Sequence, residues 1–422
     1  MSESCNSRHF SWLIKSCLPN PHDTPTYLSP NPIHTLTTAS AATSTATTLS
    51  SLPDDLLLEC LSRVSSSSLP PISAVCRRWS SLLRSPSFLL LRRSHNLLHP
   101  TIFAFSSSSS TLFAASLRFQ ENSWKFTTCL PIRFIELNNN NNIVHARMCA
   151  VGSRIFIICR NGLFFCYDTW SCKLSDKSPI TYPRKKFATA TFAGKIYVAG
   201  GGSPGGTAVE EYDPDSDTWR VVTHAPRKRF GCIGAVSDGV FYIIGGLKIG
   251  NGNEFSRAGN VGGEAAHVYA SSMDLYDVEA SVWLRSRAIP GGGCVVAACE
   301  AAGYVYILAS HAVELSFWRF EARRRVNGGK GFGEWSRIKS PPLPAQVRLD
   351  STVRFSFVGV ENKVVLIQVA GCIDDLLRRS GRNVRGLREG LVLVYDCGGG
   401  EWSRGPDLPE VIRRAACVAV EC

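Results

Sequence analysis

A chain of 422 residues is longer than one average domain and is expected to hold about two or three units or one large repeat array. Its residues are 44% hydrophobic and 19% charged, which excludes disorder throughout, and it contains no run of about 18 apolar residues that could cross a bilayer. Forty-six Lys and Arg against 34 Asp and Glu leave a formal charge of +12, enough to steer acidic partners but not enough to name nucleic acid as one.

Residues 1–50 are rich in Ser, Thr, Pro and Asn, with the run TLTTASAATSTATTLSS just before Leu52. Such a segment cannot bury enough apolar area to offset its ordering entropy, so a disordered tail is expected. Arg8 and Lys15 are few for a transit peptide, and no basic stretch followed by an apolar one forms a signal sequence. The expected location is the cytoplasm and/or the nucleus.

From Leu52 the pattern becomes helical. Leu52-Pro53-Asp54-Asp55 opens a helix with acidic residues in its first turn, and Leu56, Leu57, Cys60, Leu61 and Val64 form a broad apolar stripe. A Ser-rich break and Leu69-Pro70-Pro71 end it. A second amphipathic piece carries Val75, Cys76, Trp79, Leu82 and Leu83 and stops at Ser85-Pro86. Helices this apolar cannot hide their faces on one another within about 40 residues, so part of this surface is expected to belong to a partner.

Beyond residue 100 short strand-like runs recur. Ala188 to Trp219 reads ATATFAGKIYVAGGGSPGGTAVEEYDPDSDTW, and Cys232 to Trp283 repeats its grammar around a long insertion. Each unit has an apolar strand, a second strand ending in Gly-Gly, a third ending in Tyr-Asp and a fourth opening with Trp. Tyr212 and Trp219, Tyr276 and Trp283, and Tyr395 and Trp402 all stand seven residues apart, so one turn length recurs. These aromatics are read as filling the wedge between sheets rather than holding a ligand.

Weaker copies span Gly293 to Pro344, Val353 to Pro409 and Ala146 to Pro179. In the last, Trp170 is out of register and Leu174 takes the equivalent place. Residues 101–131 supply three strands, and Ala415 to Glu421 supplies the missing first strand of that unit. Six four-stranded units closed by the last strand form a ring without open edges. The runs Ser106 to Ser110 and Asn138 to Asn142 read as solvated loop expansions. The 16 cysteines are scattered with no C-x-x-C pair, and those in apolar runs, such as Cys294 and Cys417, read as small buried hydrophobes.

These residues carry a resemblance. LPDDLLLECLSRV followed by VCRRW closely resembles an F-box, the repeats resemble kelch repeats, and together they resemble the plant F-box/kelch-repeat proteins. The resemblance implies an all-β six-bladed kelch β-propeller over residues 100–422, preceded by a small all-α F-box at 51–92 and the tail at 1–50. It further implies a substrate-recognition subunit of a Skp–cullin–F-box ubiquitin ligase, with no catalytic residue and no cofactor of its own. Its expected partners are a Skp-type adaptor, through it a cullin–RING ligase, and a protein target, with neither nucleic acid nor membrane. Leu52, Pro53, Leu56, Leu57, Leu61, Val75 and Trp79 match the motif and are expected at the adaptor interface; packing among the F-box's own helices is the other reading of each.

In a propeller, loops joining second to third strands share a face with those joining fourth strands to the next unit. On that face fall Arg184, Lys185 and Lys186, Arg227 and Arg229, Arg413, and an insertion with Arg378 and Arg382. One reading is a surface for an acidic or phosphorylated segment, gripped by forked guanidinium hydrogen bonds. The other is ordinary surface charge, with the arginine that often precedes the first strand of a kelch repeat. Two further functions stay open: a kelch scaffold with no ligase role, and a metal-dependent propeller enzyme, for which His145, His224, His267 and His311 fall at unrelated places in the repeats.

Overall fold

The computed structural model describes residues 49–108, 111–119, 121–131, 146–160, 162–202, 206–248, 270–311, 314–322, 333–343, 353–371, 390–412 and 414–422. Residues 1–48 of the expected tail and the Asn138 to Asn142 run lie outside them, while Leu49–Ser51 form a short 3-10 helix. The chain divides into two compact units, Met1–Leu97 and Leu98–Cys422.

The first unit is helical. Helix α1 (Asp54–Ser62) begins after Pro53, with Asp54 and Asp55 at the positive end of its dipole. Leu69-Pro70-Pro71, expected only to end this helix, instead begins α2 (Leu69–Ser73): prolines in a first turn lack only amides that would have had no intrahelical partner. Helix α3 (Arg77–Leu83) is capped by the Cys76 sulfur, which accepts from the Trp79 amide at 3.5 Å. Helix α4 (Pro86–Ser94) is capped by Ser85 Oγ, which accepts from the Phe88 amide at 3.2 Å.

Leu57, Leu61, Leu69, Ile72, Trp79, Leu82, Leu83 and Phe88 form the buried interior of this unit. Among them sits one charge. The Arg92 guanidinium, 1% exposed, donates to the carbonyls of Ser62 at 3.1 Å, Val64 at 2.7 Å and Leu97 at 3.2 Å. It thereby satisfies carbonyls at the end of α1 that have no partner within the helix.

The second unit is a β-propeller of six four-stranded antiparallel sheets, with one additional two-stranded pair. The first sheet contains β1 (Pro100–Ser108), β2 (Thr111–Arg118) and β3 (Lys125–Pro131). The second contains β4 (Arg147–Val151), β5 (Arg154–Ile158), β6 (Phe164–Asp168) and β7 (Lys173–Lys177). The third contains β8 (Ala188–Phe192), β9 (Lys195–Ala199), β10 (Ala208–Asp213) and β11 (Thr218–His224).

A short β12 (Arg229–Phe230) precedes the fourth sheet, which has β13 (Ile233–Ser237) and β14 (Val240–Ile244). After β15 (Leu247–Lys248), which pairs with β12, that sheet continues with β16 (Ser272–Asp277) and β17 (Val282–Ala288). The fifth holds β18 (Cys294–Ala301), β19 (Tyr304–His311), β20 (Glu314–Glu321) and β21 (Trp335–Ile338). The sixth holds β22 (Arg354–Val360), β23 (Lys363–Ala370), β24 (Val392–Asp396) and β25 (Trp402–Arg404). Finally β26 (Ala416–Glu421) joins the first sheet beside β1, setting Phe103 opposite Val418 and Thr101 opposite Val420. The ring therefore closes as the repeats predict.

Burial follows position within each sheet. Second strands are covered by neighbouring blades on both faces and read as unbroken apolar runs; all five residues of β14 (VFYII) are buried. Fourth strands lie at the rim, and β11 and β17 hold only half-buried and exposed residues. The serine run behaves differently from expectation. Ser106, Ser107 and Ser108 belong to β1, opposite Phe113, Leu112 and Thr111, because the ladder is made by backbone amides that serine also possesses.

The recurrent spacing has a direct structural meaning. Tyr212 and Trp219, Tyr276 and Trp283, and Tyr395 and Trp402 are cross-strand partners between third and fourth strands, with ring centroids 5.0, 5.1 and 5.1 Å apart. Each indole also reaches the preceding blade. Trp219 donates to the Ser178 carbonyl at 2.9 Å, Trp283 to Thr223 Oγ1 at 3.2 Å and Trp402 to the Lys339 carbonyl at 2.7 Å. Leu174 faces Tyr167 where the second blade lacks its Trp. Close approach of the inner strands requires glycine: a Cβ on Gly234 of β13 would stand 2.4 Å from the Thr189 carbonyl oxygen of β8, and one on Gly359 of β22 would stand 1.7 Å from the Glu300 carbonyl oxygen of β18.

The twelve cysteines whose side chains are described are all free. Cys149, Cys166, Cys232 and Cys299 are buried hydrophobes as expected, whereas Cys294, the first residue of β18, is exposed and Cys417 is half-buried.

Candidate functional site

The seven expected adaptor-facing residues separate into two groups. Leu57, Leu61 and Trp79 are 1, 5 and 8% exposed and form the interior of the helical unit. Leu56 and Val75 are 52 and 44% exposed, Pro53 is exposed, and Leu52 is half-buried. The apolar stripe of α1 is wide enough to serve both sides, because consecutive residues 56 and 57 point about 100° apart around a helix. Arg78 holds the outward group in place: its Nε donates to Asp54 Oδ1 at 2.8 Å and another guanidinium nitrogen donates to the Leu52 carbonyl. This bond ties the start of α3, just after Val75, to the Leu52-Pro53 turn.

The basic face of the propeller requires correction. Arg184 is fully buried: Nε and Nη2 donate to Glu210 Oε2 at 2.9 and 2.7 Å, Nη1 to the Gly200 carbonyl at 2.7 Å, and Nη2 to the Ala208 carbonyl at 2.7 Å. Arg229, 1% exposed, repeats the arrangement one blade on. It donates to Asp274 Oδ2 at 2.7 Å, the Gly245 carbonyl at 2.8 Å, and the Ser272 carbonyl and hydroxyl at 3.1 and 3.0 Å.

Both arginines are therefore structural clamps that tie the segment before a first strand to the second and third strands of the same blade. The physical reason is satisfaction: an irregular loop buried at the ring's mouth leaves carbonyls unpaired, and the five-donor guanidinium collects several at once. A bulge between β10 and β11 at Val209/Glu210, and one between β16 and β17 at Met273/Leu275, mark the strand positions from which the two acids meet their arginines. Gly200 adopts φ +73°, and a Cβ there would lie 2.6 Å from Cys232 Sγ, so only glycine presents its carbonyl to Arg184 in this way.

Arg227, 31% exposed, pairs with the same Asp274 at 3.0 Å and so is largely committed. Lys185 is exposed. Arg378, Arg382 and Arg413 lie outside the described residues, as do His145 and His267. Among the described residues no group of three His, Cys, Asp or Glu side chains gathers to hold a metal ion.

A feature not read from the sequence lies on the propeller axis. A cavity of about 510 Å³ is lined by residues of all six innermost strands, β4, β8, β13, β18, β22 and β26. Its charged lining residues are Arg147, Lys186 and Arg354, and its described lining includes no Asp or Glu. Arg147 donates from Nε to the Phe187 carbonyl at 2.8 Å and from Nη2 to the Cys232 carbonyl at 3.3 Å, so both contacts are to neutral acceptors. Burial pushes its pKa below the ordinary arginine value, against an opposing influence of Cys232 and with a lesser contribution from the like charge of Arg354. The cationic pair was obscure in the sequence because 207 residues separate positions 147 and 354, and only ring closure brings them together.

The F-box domain family matches residues 49–91, the helical unit, and the Kelch motif family matches residues 183–225, the blade from Arg184 to the end of its fourth strand. An Arabidopsis thaliana F-box/kelch-repeat protein is 60% identical over 426 aligned residues, covering 100% of both chains. A second Arabidopsis F-box/kelch-repeat protein is 25% identical over 56% of this chain and 61% of its own. The Arabidopsis F-box protein AFR is 31% identical over 42% of this chain and 50% of its own. An F-box joined to a kelch propeller defines the class, and the full-length likeness places the chain in it: this protein belongs to the F-box/kelch-repeat family.

Proposed function

We propose that this protein is the substrate-recognition subunit of a Skp–cullin–F-box ubiquitin ligase, working in the cytoplasm and/or nucleus. The observation that carries this reading is the apolar group Leu52, Pro53, Leu56 and Val75, left on the surface of a helical unit whose interior is already filled. A solvent-facing leucine on α1 gains about 2 kcal/mol when an adaptor covers it, and several such residues together make a stable interface. The propeller then holds the target, and the ligase gains rate because a tethered target meets the charged conjugating enzyme at high effective concentration. The chain contributes binding and position, while ubiquitin transfer takes place on the conjugating machinery.

Co-expression of the full chain with a Skp-type adaptor, followed by size-exclusion chromatography, tests this. A stoichiometric complex is expected. A folded chain that elutes alone at micromolar concentration of both proteins rejects the ligase role and leaves a kelch scaffold.

A further inference from the structure

The axial cavity has the features of a binding site rather than a packing defect. Arg147 and Arg354 are the first residues of β4 and β22, the inner strands on either side of β26. Inner strands all run the same way along the axis, so both guanidinium-bearing residues stand at the same mouth of the ring. Between them Ala415 leads into β26, which begins with Ala416, and the small side chains of both leave room. Arg414, exposed, immediately precedes those alanines, and Lys186, before β8, is the next cation beyond Arg147. Four cations thus follow the rim in the order Arg354, Arg414, Arg147 and Lys186.

Cations gathered at a mouth whose described lining carries no Asp or Glu draw an anion from solution. Two arginines present planar forks suited to two-point hydrogen bonding of carboxylate or phosphate. Below them the lining is apolar, with Val296, Val353 and Phe355, and carries the hydroxyls of Thr189 and Ser356. The volume falls within the range that holds a few residues or one small ligand.

We propose that the axial cavity is an anion-binding site in which Arg147 and Arg354 grip a carboxylate or phosphate borne on a segment of the recruited target, with neighbouring apolar side chains of that segment entering the cavity below. This rests on the receptor reading above and locates target recognition on the axis. It replaces the surface role expected of Arg184 and Arg229.

The test uses the full chain, with the adaptor where that aids purification, and three fluorescein-labelled pentapeptides, Ala-Val-X-Val-Ala with X as phosphoserine, glutamate or serine. Fluorescence polarisation is expected to rank phosphoserine above glutamate above serine. Arg354→Gln should weaken the phosphoserine peptide at least tenfold, and affinity should fall as sodium chloride rises. Because Arg147 also holds two blades through carbonyls, its variant is Arg147→Lys, which keeps the charge and loses the fork. Lys173→Gln, at the rim, is the control and should bind like the natural chain.

Equal binding of the three peptides, or Arg354→Gln binding like the natural chain, overturns the site. Inorganic pyrophosphate competing at the same concentration as the phosphopeptide overturns the commitment to a target segment and assigns the cavity to a free anion. Adaptor co-elution is measured separately, so loss of the ligase reading and loss of the anion site are distinguishable.

Discussion

The indole Nε1 of Trp124 donates to the carbonyl of Pro406 at 2.9 Å, across a sequence separation of 282 residues. Trp124 precedes the fourth strand of the first blade and Pro406 follows the last strand of the sixth, so this is the bond that Trp219, Trp283 and Trp402 make to their preceding blades. The junction between the two ends of the ring is thus fastened by the same device as its other joints, in addition to the β1–β26 ladder. Trp124→Phe keeps most of the ring's volume and removes the donor. A loss of about 1 kcal/mol in urea unfolding is expected. Trp124→Ala also opens a cavity and should cost about 3–5 kcal/mol. Equal stabilities for Trp124→Phe and the natural protein would show that this bond contributes nothing.

The clamp at Arg229 makes a second expectation. Asp274 accepts from Arg229, from Arg227 and from Ser286 Oγ at 2.7 Å, all with its carboxylate 1% exposed. Asp274→Ala leaves a guanidinium buried without its counter-charge and should destabilise by about 3–5 kcal/mol. The double variant Arg229→Met/Asp274→Leu should recover part of that loss. Denaturation midpoints for the single and double variants decide it, and strict additivity would argue against a coupled pair.

At the helical unit, Leu56→Asp and Val75→Asp should abolish adaptor co-elution while leaving the far-ultraviolet circular dichroism unchanged. Leu57→Ala, at a 1% exposed position, should instead cost about 2–5 kcal/mol of the unit's stability. If Leu56→Asp still co-elutes with the adaptor, the outward face has been assigned wrongly.

Acid should weaken one rim network specifically. Burial favours the neutral form of Glu211, but hydrogen bonds from Tyr197 at 2.7 Å, Lys195 at 3.0 Å and Arg220 at 2.9 Å outweigh it and hold the pKa below the usual carboxylate value. A group with a lowered folded pKa lends stability above its unfolded pKa and loses it as pH falls through the folded one. Tyr197→Phe should therefore cost about 1.5 kcal/mol at pH 7, with the gap to the natural protein narrowing below pH 4. A gap independent of pH between 7 and 3 would detach Tyr197 from the carboxylate.

Thiol chemistry should divide the cysteines. Burial pushes the Cys149 thiol up to about 12, with minor opposing and reinforcing contributions from Thr189 and Cys166, and pushes Cys166 up to about 11. Neither forms appreciable thiolate at pH 8. Iodoacetamide should label the exposed Cys60, Cys76 and Cys294 and spare Cys149 and Cys166 until the protein is unfolded, as read by peptide mass spectrometry.

Which of these features was legible in the residues depends on how far the relevant partner lies along the chain. The Tyr–Trp spacing of seven was visible because a hairpin of constant length sets cross-strand register. The same pair exists in the fifth blade as Phe320 and Trp335, with centroids 4.9 Å apart, but an insertion separates them by 15 residues and conceals it. Arg184 and Arg229 looked solvent-facing because they sit in charged loops. Their acids lie 26 and 45 residues away on third strands, and the common clue was subtler: each arginine stands 16 residues before the glycine whose carbonyl it meets. Leu57 and Trp79 match the docking motif as well as Leu56 and Val75 do, and only packing in three dimensions tells which side of a wide apolar stripe is already occupied.

The placement of β26 also governs how the protein is made. Synthesis delivers β1 to β3 early, yet their sheet has an open backbone edge until residues 416–421 leave the ribosome, on the order of tens of seconds later at ordinary elongation rates. During that interval the nascent chain presents a bare β1 to any chaperone or stray strand. A messenger RNA truncated near its 3′ end yields a polypeptide with a finished helical head and a propeller permanently unlatched, so a translation error confined to the final six-residue strand exposes the backbone edge of β1, at the other end of the propeller's sequence, where cellular surveillance can detect it.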